Sequence, residues 1–121
     1  NFVLKCLNIM KGGEIFIPKL PSAKIIDIAK ALKPDVKLKF TEIRPGEKIH
    51  EELFSLSDSM NTIEFKNFFL IKPAYNFTHK IFYEKISKKE ILKKIKKIVE
   101  YSSFNNQNRL SVNDIKKLIN E

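Results

Sequence analysis

Arg44, Pro45, Gly46 and Glu47 form the stretch of this chain best suited to hold a ligand. Proline in the second place and glycine in the third specify a type II turn, because proline presets φ and glycine accepts the positive φ that follows. Such a turn brings the Cα atoms of Arg44 and Glu47 within about 7 Å of each other, so a guanidinium stands beside a carboxylate. The choice of arginine is informative: of 23 basic residues, only Arg44 and Arg109 are not lysine. A planar fork holds a phosphate or carboxylate through two bonds, which an ammonium cannot match. The neighbouring carboxylate can accept hydrogen bonds from ligand hydroxyls. The plainer alternative is an exposed ion pair across a turn, worth at most about 1 kcal/mol.

His50, with Glu51 and Glu52 after it, is a candidate acid or base, since an imidazole exchanges protons near neutrality. A lone histidine with no nucleophile beside it in sequence reads equally as a hydrogen-bonded structural residue. His79 offers less. The two histidines and Cys6 lie at positions 50, 79 and 6, without the spacing of zinc ligands. Neither a Ser-His-Asp nor a Cys-His arrangement has a local signature. Three glycines, Gly12, Gly13 and Gly46, are too few for a GxGxxG or GxxxxGK[ST] phosphate loop. Dinucleotide binding by that route is excluded.

The elements that must carry these residues belong to a chain of 121 residues, the length of one domain, 1–121, with room for a real core. Hydrophobic residues make up 43% and charged residues 31%, and no apolar run approaches the ~20 residues of a membrane span. The net charge of +9 raises a polyanion or acidic membrane as partner. Much of it is concentrated: Lys80 to Glu100 holds eight Lys against three Glu, a local +5. This stretch has no arginine for base readout, and Phe82 and Tyr83 lie ahead of the helix expected from Lys88 rather than among its lysines. A solvated helix face accounts for it as well as a binding surface does. The single cysteine excludes an internal disulfide and fits a reducing compartment. The opening Asn1-Phe2-Val3-Leu4 lacks an initiator Met and is already inside an apolar pattern, which reads as a piece of a longer protein.

Phe2, Val3, Cys6, Leu7 and Met10 recur at helical spacing ahead of Lys11-Gly12-Gly13, which predicts a first helix of about three turns with a cationic last turn and a glycine stop. Glu14 to Ile17 reads as a short strand. Ser22 is the expected N-cap of a helix carrying Ile25, Ile28, Ala29 and Leu32, broken at Lys33 before Pro34. Val36, Leu38 and Phe40 alternate with Lys37, Lys39 and Thr41, predicting a strand over 36–43. After the turn at 44–47, a short helix is expected across Ile49 to Phe54 and a polar loop over 55–59. Thr62 to Phe65 and Phe68 to Ile71 predict a hairpin about Lys66-Asn67. Tyr75 to Tyr83 gives no element. Apolar residues at 91, 92, 95, 98 and 99 predict an amphipathic helix over 88–100. Ser111 and Asp114 form a capping box for a last helix with Val112, Ile115, Leu118 and Ile119 inward. Interleaved short strands and helices point to a small α/β or α+β domain.

Gly12 to Ser22, Ile28 to Ala31 and Ile43 to Glu52 together resemble the C-terminal part of inverting UDP-N-acetylglucosamine 4,6-dehydratases. These are extended short-chain dehydrogenases/reductases of the polysaccharide-biosynthesis dehydratase/epimerase group. Glu64-Phe65, Phe68 to Pro73, and Tyr101-Ser102-Ser103 with Asn105-Asn106-Gln107 match in the same order, and the likeness is weakest from Tyr75 to Val99. The resemblance implies a C-terminal substrate-binding lobe. In the parent enzyme a Rossmann domain, absent from this chain, would hold NADP or NAD and a Tyr-x-x-x-Lys catalytic pair. Arg44 is then expected on the UDP diphosphate and Glu47 on the uridine ribose, with Lys19, Lys48 and His50 as weaker substrate contacts. The parent reaction implied is C4 oxidation, loss of water across C5 and C6, and hydride return to C6, in a cytoplasmic deoxysugar pathway such as that to pseudaminic acid. Tyr75, Tyr83 and Tyr101 are followed four residues on by His79, Ser87 and Asn105, never Lys. No catalytic residue, cofactor site or metal site is therefore expected here, and the chain alone is expected to be inactive. The expected partners are a UDP-sugar, the chain's own Rossmann domain and further copies of the parent, with no nucleic acid and no membrane. The alternative is a basic module using the Lys88–Lys97 helix face on nucleic acid or acidic membrane, and a third reading is self-association through an exposed apolar face.

Overall fold

Two short runs rich in apolar residues about a two-residue connection make the hairpin of β3 (Thr62–Phe65) and β4 (Phe68–Ile71), which pair antiparallel with Ile63 opposite Leu70 and Glu64 opposite Phe69. In this computed structural model, which describes residues 1–75, 91–94 and 99–120, the hairpin is the centre of a four-stranded sheet. Its order is β1-β4-β3-β5, with β1 (Ile15–Pro18) antiparallel to β4 and β5 (Ile91–Lys94) antiparallel to β3. Pro18 ends an edge strand, where its missing N–H costs no ladder bond. Ile63 and Phe65 share one face of β3, Phe68 and Leu70 one face of β4, and these four buried residues form the core, with Phe2, Ile9 and Phe16 packed against them. Phe2 and Ile9 come from α1 (Phe2–Ile9). The expected cationic last turn of that helix is missing, because it stops at Met10, which is extended. Gly13 then turns the chain at φ +78°, where a Cβ would meet the Pro73 Cβ at 3.2 Å. The fold is a mixture of helix and strand, as expected of a small α/β or α+β domain.

The described residues divide into two compact units, one of Asn1–Lys19 with Leu53–Glu100 and the other of Leu20–Glu52 with Tyr101–Glu121. β2 (Glu52–Phe54) replaces the helix expected across Ile49 to Phe54. Phe54 is buried and meets the Phe69 ring edge-on at 5.1 Å, a contact that sequence spacing does not reveal. The expected polar loop over 55–59 contains the single turn α3 (Leu56–Ser59), closed by a capping box between Ser55 and Asp58. The expected helix over 88–100 is also corrected: residues 91–94 are strand β5, with Lys93 opposite Glu64. A neighbouring edge outweighs a helical period over so few residues. The rest of that helix at 88–90 and 95–98, and the irregular stretch after Tyr75 up to Tyr83, fall outside the described residues.

The second unit packs α2 (Ile25–Leu32) against α4 (Val112–Ile119). Residues 36–43, expected as a strand, form none: Phe40 is 80% exposed, and alternation without a partner edge makes no ladder. β6 (Tyr101–Ser102) precedes a loop that grips the chain ahead of α2. The Tyr101 hydroxyl accepts from the Leu20 N–H at 2.9 Å and donates to the Leu20 carbonyl at 2.8 Å, and Asn106 Nδ2 donates to the same carbonyl. The capping box on α4 is as expected, with the Ser111 N–H and hydroxyl donating to the Asp114 carboxylate. Those bonds hold the Asp114 carboxyl below its ordinary value. A depressed folded value means the contribution is present above the unfolded value of about 3.9 and lost as pH falls through the folded one. Asp114→Asn is thus expected to shallow the acid limb of a stability-versus-pH profile below about pH 4 while leaving its slope at neutral pH unchanged. Denaturant melts from pH 2 to 7 read it, and an unchanged acid limb refutes it.

Candidate functional site

The turn at 44–47 has the geometry its residue types demand. Gly46 adopts φ +87°, and the Glu47 N–H donates to the Arg44 carbonyl at 3.0 Å. The Glu47 carboxylate accepts from the Arg44 backbone N–H at 3.0 Å, and its other oxygen lies 3.8 Å from Arg44 Nε. The Arg44 side chain is 84% exposed and that of Glu47 55%, so the guanidinium keeps nearly all its donors open to an incoming anion. At 3.8 Å in solvent the ion pair contributes little to stability. The exposed fork is chemically able to take an oxyanion through two bonds.

Beyond exposed Lys48, His50 is tied down. Its Nδ1 lies within hydrogen-bonding distance of Ser103 Oγ, 3.1 Å away; that oxygen accepts from the Glu51 N–H at 3.1 Å, and the Ser103 N–H donates to the Glu51 carbonyl at 2.8 Å. The imidazole rests edge-on against Phe104 at 5.1 Å. His50 thus has the partners of a positioning residue, anchoring the segment that leaves the Arg44–Glu47 turn.

His50 also lines a cavity of about 370 Å³ with Ser22, Ile25, Ile26, Ser103 and Arg109, at the lower end of the size range of small-molecule sites. Arg109 is fixed there, its Nη2 donating to the Phe104 carbonyl at 2.6 Å and its Nε to the Asn106 carbonyl at 3.3 Å. Ser22 departs from expectation. The N-cap of α2 is Lys24, which supplies no side-chain cap, and Ser22 Oγ, two residues earlier, is shut from solvent with no partner among the described residues. Sequence reading missed Ser22, Ser103 and Arg109 as site residues. The one available signal was that Arg109 is the other arginine of a lysine-rich chain.

Lys19 stands in the other unit, on the sheet. Its Nζ is 2.6 Å from Glu64 Oε1 and 4.9 Å from the centre of the Phe69 ring, so its charge is engaged within the fold. Among the described residues no group of three His, Cys, Asp or Glu is placed to hold a metal ion, and Cys6 is a free thiol. No helix among them is long and apolar enough to cross a membrane. Gly12 and Gly13 lie between α1 and β1, a helix-to-strand junction, whereas the pyrophosphate cradle of a dinucleotide fold is a strand-to-helix turn.

Residues 1–73 match a family model described as polysaccharide biosynthesis protein. Over 121 residues and 99% of its length the chain is 43% identical to the UDP-N-acetylglucosamine 4,6-dehydratase (inverting) of Campylobacter jejuni serotype O:2. The protein of the same name from serotype O:23/36 is 41% identical over the same span. The chain covers 36% of each, about a third of the length of these curated relatives. Its fold is similar to the X-ray structure of Pen from Bacillus thuringiensis, with a TM-score of 0.68 and 26% identity, covering 96% of this chain and 33% of that one.

Proposed function

Because the chain belongs to the polysaccharide biosynthesis protein family, we propose that it is the nucleotide-sugar-binding lobe of a UDP-N-acetylglucosamine 4,6-dehydratase. The observation that carries this reading is 43% identity along 99% of the chain to a protein of that name. The turn at 44–47 supports it: Arg44 takes diphosphate oxygens through its exposed fork, and Glu47 accepts from a ribose hydroxyl. His50, held by Ser103, keeps that turn at a constant distance from the loop after β6. The lobe contributes binding and orientation, which lower the barrier by fixing the sugar before any bond changes. NADP or NAD belongs to the longer parent and supplies hydride acceptance and return there. The parent inverts C5, acts in the cytoplasm in deoxysugar or polysaccharide biosynthesis, and associates with copies of itself.

The test is to express the full-length protein and this 121-residue chain side by side and follow UDP-N-acetylglucosamine by NMR with nicotinamide cofactor present. The expected result is a 4-keto-6-deoxy product with inverted C5 from the full-length protein and no turnover from the chain. Turnover by the chain alone overturns the division of labour, and an inert full-length protein overturns the activity.

A further inference from the structure

Residues 36–43 have a strand's sequence without a strand's partner. Val36, Leu38 and Phe40 alternate with Lys37, Lys39 and Thr41, and Pro34 and Pro45 bound the run on either side. From Val36 to Arg44 the chain makes neither turn nor bend. Among the described residues, none makes a backbone hydrogen bond to residues 37–43, so a row of peptide groups has no ladder to join. Leu38, Phe40 and Ile43 are all exposed, which leaves apolar side chains uncovered along the same run. A strand in this condition is open along both edges. We infer that residues 36–43 form an edge strand of the longer protein, paired with a strand that lies outside residues 1–121 and carries carboxylates opposite Lys37 and Lys39.

Length and charge identify the occupant. The chain covers 36% of each of its curated relatives, so most of the polypeptide available for pairing lies outside it. A second copy fits poorly. Each copy carries a net charge of +9, and antiparallel self-pairing about Leu38 sets Lys37 opposite Lys39, like charges that destabilise a ladder. Carboxylates on the neighbouring strand turn that repulsion into attraction, and main-chain bonds form whatever the side chains opposite. The strand runs directly into Arg44, ahead of the turn at Pro45 and Gly46. Pairing therefore fixes where the exposed guanidinium stands relative to the rest of the protein, which its bonds to Glu47 within the turn do not. This rests on the reading of the chain as one lobe of a longer protein, but not on the reaction assigned to it.

The test follows hydrogen exchange residue by residue in the full-length protein. One-sided pairing bonds every second amide, so alternate N–H groups in 37–43 should exchange about a hundredfold more slowly than their neighbours at every protein concentration. Proline at successive positions separates the two edges: of Lys39→Pro and Phe40→Pro, the variant on the bonded edge abolishes the protection and the other leaves it in place. Carbodiimide should couple Lys37 or Lys39 to a carboxylate of the same polypeptide outside these 121 residues. Fast exchange throughout, equal protection of consecutive amides, or equal effects of the two prolines overturns the strand. Protection that fades on dilution overturns the occupant, as does coupling that is absent, confined to residues 1–121 or formed between two chains. A full-length protein inert toward UDP-N-acetylglucosamine but protected in alternation loses the proposed reaction and keeps this strand.

Discussion

Phe68→Ala is expected to lower the stability of the sheet unit by about 3–5 kcal/mol, measured by denaturant unfolding. Phe68 is 2% exposed and lies where the fold's aromatic contacts converge. Its ring stacks on Phe65 at 4.5 Å and 7°, meets Phe2 edge-on at 5.9 Å and tilts against Phe16 at 6.0 Å. Truncation removes the transfer energy of the ring and leaves a cavity between a strand partner, an edge strand and α1, which cannot all close on it at once. Lys5 Nζ, 5.6 Å from the ring centre, loses a cation–π partner in the same step. Against a net stability of about 5–15 kcal/mol for a typical domain, the variant is at or near the limit of folding. Phe40→Ala is the control. That ring is 80% exposed, and its loss should stay within about 0.5 kcal/mol. Equal effects from the two variants would place the core elsewhere.

If the proposed function holds, Arg44→Ala in the full-length protein is expected to lower kcat/KM for UDP-N-acetylglucosamine roughly ten- to a hundredfold. Charge-assisted bonds contribute about 1.5–3 kcal/mol, and 1.4 kcal/mol is a factor of ten. The size of the loss depends on where the side chain sits. At 84% exposure and 3.8 Å from Glu47 it has little to lose in stability, so an unchanged melting temperature beside a large kinetic loss isolates binding. Arg44→Lys should recover only part of the loss, since it restores charge but not the fork. Full activity in Arg44→Ala removes the diphosphate role.

Several elements could be read from residue types alone because their causes are local. The β3–β4 hairpin follows from two apolar-rich runs about Lys66-Asn67, α4 from Ser111 and Asp114, and the turn from Pro45 and Gly46, each governed by neighbours within a few positions. Where the cause is distant, reading failed. Residues 36–43 alternate as a strand should but have no edge to join, and 91–94 have helical spacing but meet the free edge of β3. Phe54 belongs to a strand rather than a helix, and its ring packs against Phe69. Ser22 has a capping residue's chemistry at the wrong distance, so Lys24 takes the N-cap and the serine hydroxyl is buried instead.

Sequence by itself determined the Arg44–Glu47 turn and its paired charges, because proline and glycine restrict φ whatever surrounds them. It also supplied the residues that tie the chain to its family. Only the tertiary structure engaged Lys19 with Glu64, 45 positions away, and set His50 against Ser103, 53 positions away. It alone brought Ser22, His50 and Arg109 to one cavity. Contacts across such separations depend on which edges and faces remain free after local structure has formed, and no local pattern of residue types encodes that choice.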